Sequence, residues 1–133
     1  MNEHLDLPLR CLAHTRSGDK GNISNIAVFS YHGAFHAVLK KELTVERFAA
    51  RYGDLIKGRI TRYEAENLHA FNFVCEGALG GGVSRSLYLD NYGKALSSAL
   101  LDVMIAVPRD LLPQVQAQHL ASAGLNAQGR KNQ

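Results

Sequence analysis

Cysteine is scarce in this chain, and its two cysteines are not arranged as metal ligands. Cys11 and Cys75 each lie inside an apolar run, and no CxxC pair occurs. Structural zinc sites commonly need such pairs, so the sequence predicts no metal and no other cofactor. Because thiols in apolar runs are usually buried and unpaired, both cysteines are predicted to be free rather than joined in a disulfide.

Long apolar stretches and concentrated charge are also missing. The N-terminal segment MNEHLDLPLR is charged and interrupted by proline, so it does not have the pattern of a signal peptide or a membrane span. The formal net charge is +3 and the pI is near 9.0, but the basic residues form no patch of the kind that nucleic-acid binding needs. These features predict no membrane and no nucleic-acid partner, and they favour a cytoplasmic protein that binds small anionic metabolites.

The size of the chain predicts one domain. Its 133 residues, 46% hydrophobic and 20% charged, can bury one sizeable core but are too few for two. We expect a single domain over 1–108 and a C-terminal extension over 109–133. Within this extension, 111–120 is predicted to be a short helix, and the Gly-, Asn-, Gln- and Lys-containing end from Ser122 onward is predicted to be disordered.

The first third of the chain predicts two strands separated by polar residues. Apolar residues alternate over 5–13, which is the period of a half-buried strand, and Pro8 places that strand near a sheet edge. The β-branched and aromatic residues over 23–29 predict a second strand. The segment 34–39 fits either a strand extension or a surface loop.

Helix and strand patterns alternate in the rest of the chain. They predict a helix over 45–52, an antiparallel pair of strands over 58–64 and 68–76, and a second helix over 90–104. Pro108 ends this helix or a short strand that follows it. The order predicts an α+β fold, a ferredoxin-like sandwich with two helices packed on one face of an antiparallel sheet. Its other face or an edge is then available for self-association, so a homo-oligomer is expected.

Residues 14–25, HTRSGDKGNISN, carry the first candidate site. They are predicted to form a loop between the first two strands, and such loops position binding groups with little loss of order. His14 is the candidate general acid or base, with Asp19 as its orienter or as a base itself. The side chains predicted to hold a carboxylate, phosphate or carbonyl are Arg16, Ser17, Lys20, Asn22 and Asn25. The alternative is an elaborate turn in which Asp19 accepts backbone amides, Gly18 and Gly21 take positive φ, and Lys20 is solvated.

Glycine is concentrated in a second unusual segment, GALGGGVSRS, over 77–86. Glycines allow a ligand to approach backbone amides, and the neighbouring serine and arginine suit an anion. The predicted ligand contacts are Gly80, Gly81, Gly82, Ser84 and Arg85. Close packing of a helix on the sheet is the alternative, and the segment is neither a Walker loop nor a GxGxxG fingerprint. The two segments must meet in space if they form one site.

The other histidines and the glutamates in the middle of the chain are given no role in this site. The histidines expected at the surface or at strand ends, because they share no metal-ligand spacing, are His32, His36, His69 and His119. The glutamates interpreted as strand-edge charges are Glu64, Glu66 and Glu76.

Together, HTRSGDKGN and GALGGGVSRS resemble the small domain of the acyclic terpene utilisation family, the AtuA-like proteins. That domain follows a larger one in long members and also occurs as a stand-alone chain. The resemblance continues through LIKGRITRYE and GKALSSALLDV and covers about residues 8–104. It implies a ferredoxin-like fold and an association with the catabolism of branched or acyclic isoprenoid acids through CoA thioesters, but no catalytic residues.

Two functions stay open at this point. In the first, the chain binds an anionic acyl metabolite, such as a CoA thioester, and the 14–25 segment recognises its charge. In the second, it is a non-catalytic accessory or assembly module whose polar segments contact a larger AtuA-like subunit.

Overall fold

The computed structural model describes residues 3–20, 23–52, 56, 58–76, 97, 99–122 and 124, without the side chains of Asp19, Lys20 and Ser122. The strands of this part are β1 (His4–Pro8), β2 (Ala13–Lys20), β3 (Ile23–Ser30), β4 (Ile60–Ala65), β5 (Ala70–Glu76) and β6 (Met104–Pro108). Its helices are α1 (Gly33–Glu42), α2 (Val45–Tyr52) and α3 (Leu112–Ser122). Short 3-10 turns lie at Leu9–Cys11, Glu66–Leu68 and Arg109–Leu111. Within these ranges, no helix is long and apolar enough to cross a lipid bilayer.

The strands form two antiparallel sheets. The main sheet has the order β2-β3-β5-β4, and β1 pairs with β6 in a second sheet. Pro8 therefore lies in an edge strand, as its missing N–H group led us to expect. From β3 to β6 the elements follow the order β-α-α-β-β-α-β, with Ser97, Ala99 and Leu100 helical before β6. The predicted α+β class is confirmed.

Helices α1 and α2 pack on one face of the main sheet, here called the covered face. Phe71 and Phe73 of β5 are fully buried on it. Phe71 stacks on His36 of α1 with ring centroids 4.4 Å apart, and Phe73 stacks on Phe48 of α2 at 4.2 Å. Each fully buried Phe stabilises the fold by about 1.5–3 kcal/mol relative to an exposed one. Cys75 follows on the same face at 1% exposure, so the expectation that this thiol is buried is confirmed.

The predicted loop over 14–25 is wrong, because most of it is strand. His14 to Lys20 pair in register with Phe29 to Ile23, so β2 and β3 form a long hairpin, and the two residues between them lie outside the described ranges. In β2 the covered-face positions Thr15 and Ser17 are polar, like His14 and Arg16 on the other face, so apolar and polar residues do not alternate along the strand. The polar composition therefore concealed the strand.

The segment 34–39 is also different from the prediction, because it is the middle of α1. The His32 side chain caps this helix, and its Nδ1 accepts a hydrogen bond from the Ala34 backbone N–H at 3.0 Å. Histidine is not among the usual N-cap residues, so the start of this helix has little local sign. The helix predicted over 45–52 is confirmed as α2, where Thr44 Oγ1 accepts from the Arg47 backbone N–H at 3.2 Å.

The helix predicted over 90–104 ends earlier than expected. Leu100 is helical, residues 101–103 turn, and Met104 begins β6; residues 90–96 and 98 lie outside the described part. Val103, Ile105 and Val107 are buried in the alternation of a strand, but Val103 also fits the helical spacing of the residues before it. The apolar pattern therefore runs through the boundary without marking it.

The strand and helix after this boundary agree with the sequence. β6 ends at Pro108, and the helix predicted over 111–120 is confirmed as α3. Val115 of α3 is 8% exposed and belongs to the common core, so this part of the extension packs on the domain. The end predicted to be disordered begins at Ser122, but Ser122 is the last residue of α3 and Gly124 lies in a turn; 123 and 125–133 lie outside the described ranges.

Polar side chains hold α1 against the strands at its C-terminal end. Arg62 of β4 donates from Nη1 to the carbonyl oxygens of Lys40 at 3.0 Å and Leu43 at 2.7 Å. These carbonyls have no partner inside the helix, so the guanidinium supplies the hydrogen bonds that the helix end lacks. Glu42 Oε1 accepts from the Ala106 backbone N–H at 3.1 Å, which ties the same end to β6.

Candidate functional site

The face of the main sheet opposite the covered face, here called the open face, carries several of the predicted site residues. Side chains of directly paired residues share a face, and three rows of pairs cross this one. The rows are His14–Phe29–Ala70–Ala65, Arg16–Ala27–Asn72–Tyr63 and Gly18–Asn25–Val74–Thr61. His14, Arg16 and Tyr63 are all exposed, so ligands and partners can reach them.

His14 is held on the open face by aromatic rings. Its imidazole stacks on Phe29 with centroids 5.1 Å apart and an interplanar angle of 17°. Tyr31 lies beside it at 5.5 Å in a tilted arrangement. Stacking fixes the plane of the imidazole and leaves its exposed edge able to form a hydrogen bond with a ligand.

Asp19 does not orient His14. The two residues are five positions apart along β2, which is about 17 Å of extended chain. They also hold register positions of different parity, since His14 pairs with Phe29 and Asp19 pairs with Ser24. The backbone of β2 thus holds the two positions too far apart for the predicted orienting contact. Their separate roles as acid or base stay predictions.

Arg16 lies next to His14 on the open face, and Ser17 does not. The Cα atoms of residues two apart on a strand are about 7 Å apart, so Arg16 and His14 can contact the same small ligand. Ser17 pairs with Ile26, whose side chain is 3% exposed and faces the helices, so Ser17 belongs to the covered face. The sheet thus divides the predicted set between its two sides.

Asn25 has a structural partner rather than an open amide. Its Nδ2 donates to Asn72 Oδ1 at 2.8 Å across β3 and β5. A Cβ atom on Gly18 would lie 2.8 Å from Asn25 Oδ1, so glycine is needed there for close approach. Gly18 does not have positive φ, which corrects the turn alternative for this position. Gly18 therefore leaves room for the hydrogen bond between Asn25 and Asn72, here called the asparagine pair.

The remaining predicted site residues lie outside what the structure describes. This applies to the side chain of Lys20 and to Asn22. It also applies to the glycine segment and its contacts, Gly80, Gly81, Gly82, Ser84 and Arg85. The meeting of the two segments in one site stays a prediction.

A cavity of about 310 Å³ lies beside the aromatic pair of His14. The described residues that line it are Arg10, Cys11, Tyr31, Gln118 and His119. Tyr31 connects the two features, because its ring both contacts His14 and lines the cavity. No sequence pattern predicts this cavity, because its residues come from a 3-10 turn, a bend and α3, which only the fold brings together.

The thiol of Cys11 adds no charge to the wall of this cavity. Burial raises the pKa of Cys11, and the nearby Arg10 acts in the opposite direction, so the thiol stays neutral at neutral pH. The guanidinium of Arg10 is more than half exposed and pairs with Asp102. The cavity therefore offers a neutral wall inside and a cation at its edge.

A polar pair on the covered face was missed by sequence reasoning. His36 is 5% exposed, and its Nε2 donates to Glu64 Oε2 at 2.7 Å. Lys40 Nζ lies 3.4 Å from Glu64 Oε1. The hydrogen bond from His36, and then Lys40, lower the pKa of Glu64. His36 is therefore not a surface residue, and this expectation failed because α1 was not recognised. Glu64 is an exposed charge on the edge strand β4, as expected, and it also joins β4 to α1.

The described histidines, cysteines and acids form no group of three or more that is arranged to hold a metal ion. Cys11 and Cys75 are both free thiols. Burial raises the pKa of Cys75 to about 11, so it is a neutral core residue.

These elements define a small α+β domain in which α1 and α2 cover one face of a four-stranded antiparallel sheet. The model of the AtuA ferredoxin-like domain matches residues 7–106, and the chain therefore belongs to this family. The match confirms both the resemblance seen in the sequence and the ferredoxin-like fold. No curated protein and no solved structure matches the chain.

Proposed function

We propose that the chain binds a small anionic acyl metabolite at the end of the open face marked by His14. The observation that carries this proposal is the exposed pair of His14 and Arg16 beside the rings of Phe29 and Tyr31. A guanidinium forms strong, charge-assisted hydrogen bonds with a carboxylate or phosphate. Aromatic rings provide apolar area for the body of the ligand. A site with both features favours an acid that carries an apolar group.

Family membership supports the choice of ligand class. The resemblance of the motifs to AtuA-like proteins favours branched or acyclic isoprenoid acids, taken as free acids or as CoA thioesters, in a cytoplasmic catabolic process. His14 is held by stacking and is out of reach of Asp19. This geometry supports recognition of the ligand better than acid–base catalysis.

The proposal is tested by titrating isovalerate and isovaleryl-CoA into the protein and measuring heat or NMR chemical shifts. Arg16→Gln removes a charge-assisted hydrogen bond worth about 1.5–3 kcal/mol, so affinity should fall about 10- to 100-fold. His14→Ala should weaken binding less. Lys41→Gln, which removes an exposed cation from α1, is the matched control and should bind like the original chain. Equal affinities in Arg16→Gln and Lys41→Gln would contradict the proposal.

A second function is favoured by apolar exposure on the open face. Tyr63 is 59% exposed there, and Ile23 is 44% exposed near the hairpin end. As an accessory or assembly module, the chain would bind a larger AtuA-like subunit through this face. A second copy of the chain is the other partner that could bind there. Exposed apolar area of this kind is common at interaction sites.

Copurification tests for binding to a larger AtuA-like subunit. Sedimentation of the chain alone tests for association with a second copy. Tyr63→Lys should abolish either association because it places a charge in the apolar face. Leu68→Lys is the control, since Leu68 is 64% exposed but belongs to the turn between β4 and β5. A monomer that recovers no larger subunit, with or without Tyr63→Lys, would refute the assembly function.

A further inference from the structure

We propose that the 310 Å³ cavity beside α3 binds the apolar group of the ligand, and that α3 sets the size of the group that is accepted. This inference rests on the proposed binding function, and it adds a location and a narrower ligand class. The expected ligand is a carboxylic acid, or its thioester, with a short branched apolar chain.

The volume of the cavity limits what can enter. Small-molecule sites usually measure about 300–1,000 Å³. A volume of about 310 Å³ lies at the lower end of that range and suits a short acyl chain. The nucleotide part of a CoA thioester is much larger, so it has to remain outside. Acyl chains that are long and straight should also be rejected.

The cavity lies close to His14 and Arg16, the two side chains proposed to bind the acidic group. Tyr31 lines the cavity, and its ring centroid lies 5.5 Å from that of His14. Arg16 follows His14 on the same face about 7 Å further along the strand. A ligand whose apolar end touches Tyr31 therefore needs only a short spacer before its acidic group reaches the imidazole or guanidinium. This spacing favours short acids over long ones.

The chemistry of the walls agrees with an apolar occupant. Cys11 is a neutral thiol, because burial raises its pKa. The cation of Arg10 is already paired with Asp102 at the edge. A charged group inside the cavity would lose its hydration without gaining a full counter-charge, which is costly, whereas an apolar chain gains about 25 cal/mol for each Å² removed from water.

One wall of the cavity comes from outside the family domain. Gln118 and His119 belong to α3, whereas the family match ends at residue 106. The core anchors α3 through Val115, which lies about one helical turn before Gln118 and His119 in the same helix. Selection by chain length is therefore a property of this C-terminal helix rather than of the shared domain.

The experiment compares a series of acids and their neutral amides, with three to eight carbon atoms, by NMR titration of the full chain. Cys11→Leu fills the cavity and should weaken the best acid and its amide at least tenfold. Gln118→Ala enlarges the cavity and should move the preferred length to longer chains. Gln116→Ala is the control, because Gln116 lies on the same helix but lines a separate groove with Pro113 and Leu120.

The outcomes separate the cavity from the open-face function. If Arg16→Gln weakens the acids but Cys11→Leu leaves acids and amides unchanged, charge recognition stands and the cavity assignment is overturned. An identical length profile for Gln118→Ala and Gln116→Ala overturns the role of α3, even if Cys11→Leu fails to fold. If amides respond to Cys11→Leu while Arg16→Gln has no effect, the cavity stands alone. A chain that binds neither acids nor amides refutes both.

Discussion

The covered and open faces of the main sheet use the same strands for different purposes. On β5, Phe71 and Phe73 are fully buried against the helices, whereas Asn72 and Val74 on the other side remain partly exposed. On β4, Tyr63 of the open face is 59% exposed. In the part of the chain that the structure describes, one side of the sheet therefore closes the core and the other carries exposed side chains. Substitutions on the two faces should therefore affect different properties.

The largest contrast is expected between Phe73→Ala and Tyr63→Ala. Phe73 stacks on Phe48 with ring centroids 4.2 Å apart, and truncating a buried Phe costs about 3–5 kcal/mol. Tyr63 is exposed, and such surface changes usually cost within about 0.5 kcal/mol. Urea unfolding of the two variants measures both values. Similar losses of stability in the two variants would show that the open face is also covered in the folded protein.

The same contrast explains which strands were predictable. Phe71, Phe73 and Cys75 alternate with more polar or smaller residues, so the buried face of β5 was visible in the sequence. β2 shows no such alternation, because Thr15 and Ser17 on its covered face are polar, like His14 and Arg16 on its open face. Strand pairing is a tertiary property, so a polar strand beside an apolar one has no strong local sign.

The candidate site was only partly predictable for a related reason. The density of polar groups indicated where His14 and Arg16 lie in the chain, but only the register showed that Asp19 is out of reach of His14. The cavity could not be inferred, because its walls at Cys11 and Gln118 are more than a hundred positions apart in the chain. Likewise, His36 became a buried partner of Glu64 only once α1 was known to be a helix.

A second test asks whether polar contacts on the covered side also stabilise the fold. Arg62 donates to two carbonyls at the end of α1, and its guanidinium lies 5.0 Å from the centre of the Phe71 ring. Hydrogen bonds that involve a charged group are worth about 1.5–3 kcal/mol, so Arg62→Met should lower the free energy of unfolding by that amount. Arg59→Met, at an exposed position before β4, is the control. A loss no larger than that of the control would contradict the capping role.

A smaller effect is expected on the open face at Gly18. A Cβ atom there would lie 2.8 Å from Asn25 Oδ1 and would displace the amide from Asn72, so Gly18→Ala should cost about 1–3 kcal/mol. In an Asn25→Ala background the obstruction is gone, and the same substitution should cost much less. A double-mutant cycle by urea unfolding measures this coupling. Additive effects would mean that the motif glycine is not needed for the asparagine pair.

The smallest effect concerns the pH dependence of the contact between Glu64 and α1. The His36 hydrogen bond and then Lys40 hold the pKa of Glu64 below its ordinary value of 4.5, so the folded state favours the carboxylate. A group with a lowered folded pKa adds stability that is complete above the unfolded pKa and is lost as the pH falls through the folded pKa. Glu64→Gln should therefore lower Tm at about pH 5.5, and the difference from the original chain should shrink towards about pH 3. Glu66→Gln, in the exposed turn after β4, should show no such trend. A Tm difference for Glu64→Gln that stays constant across this range would mean that the carboxylate acts through its shape and not through its charge.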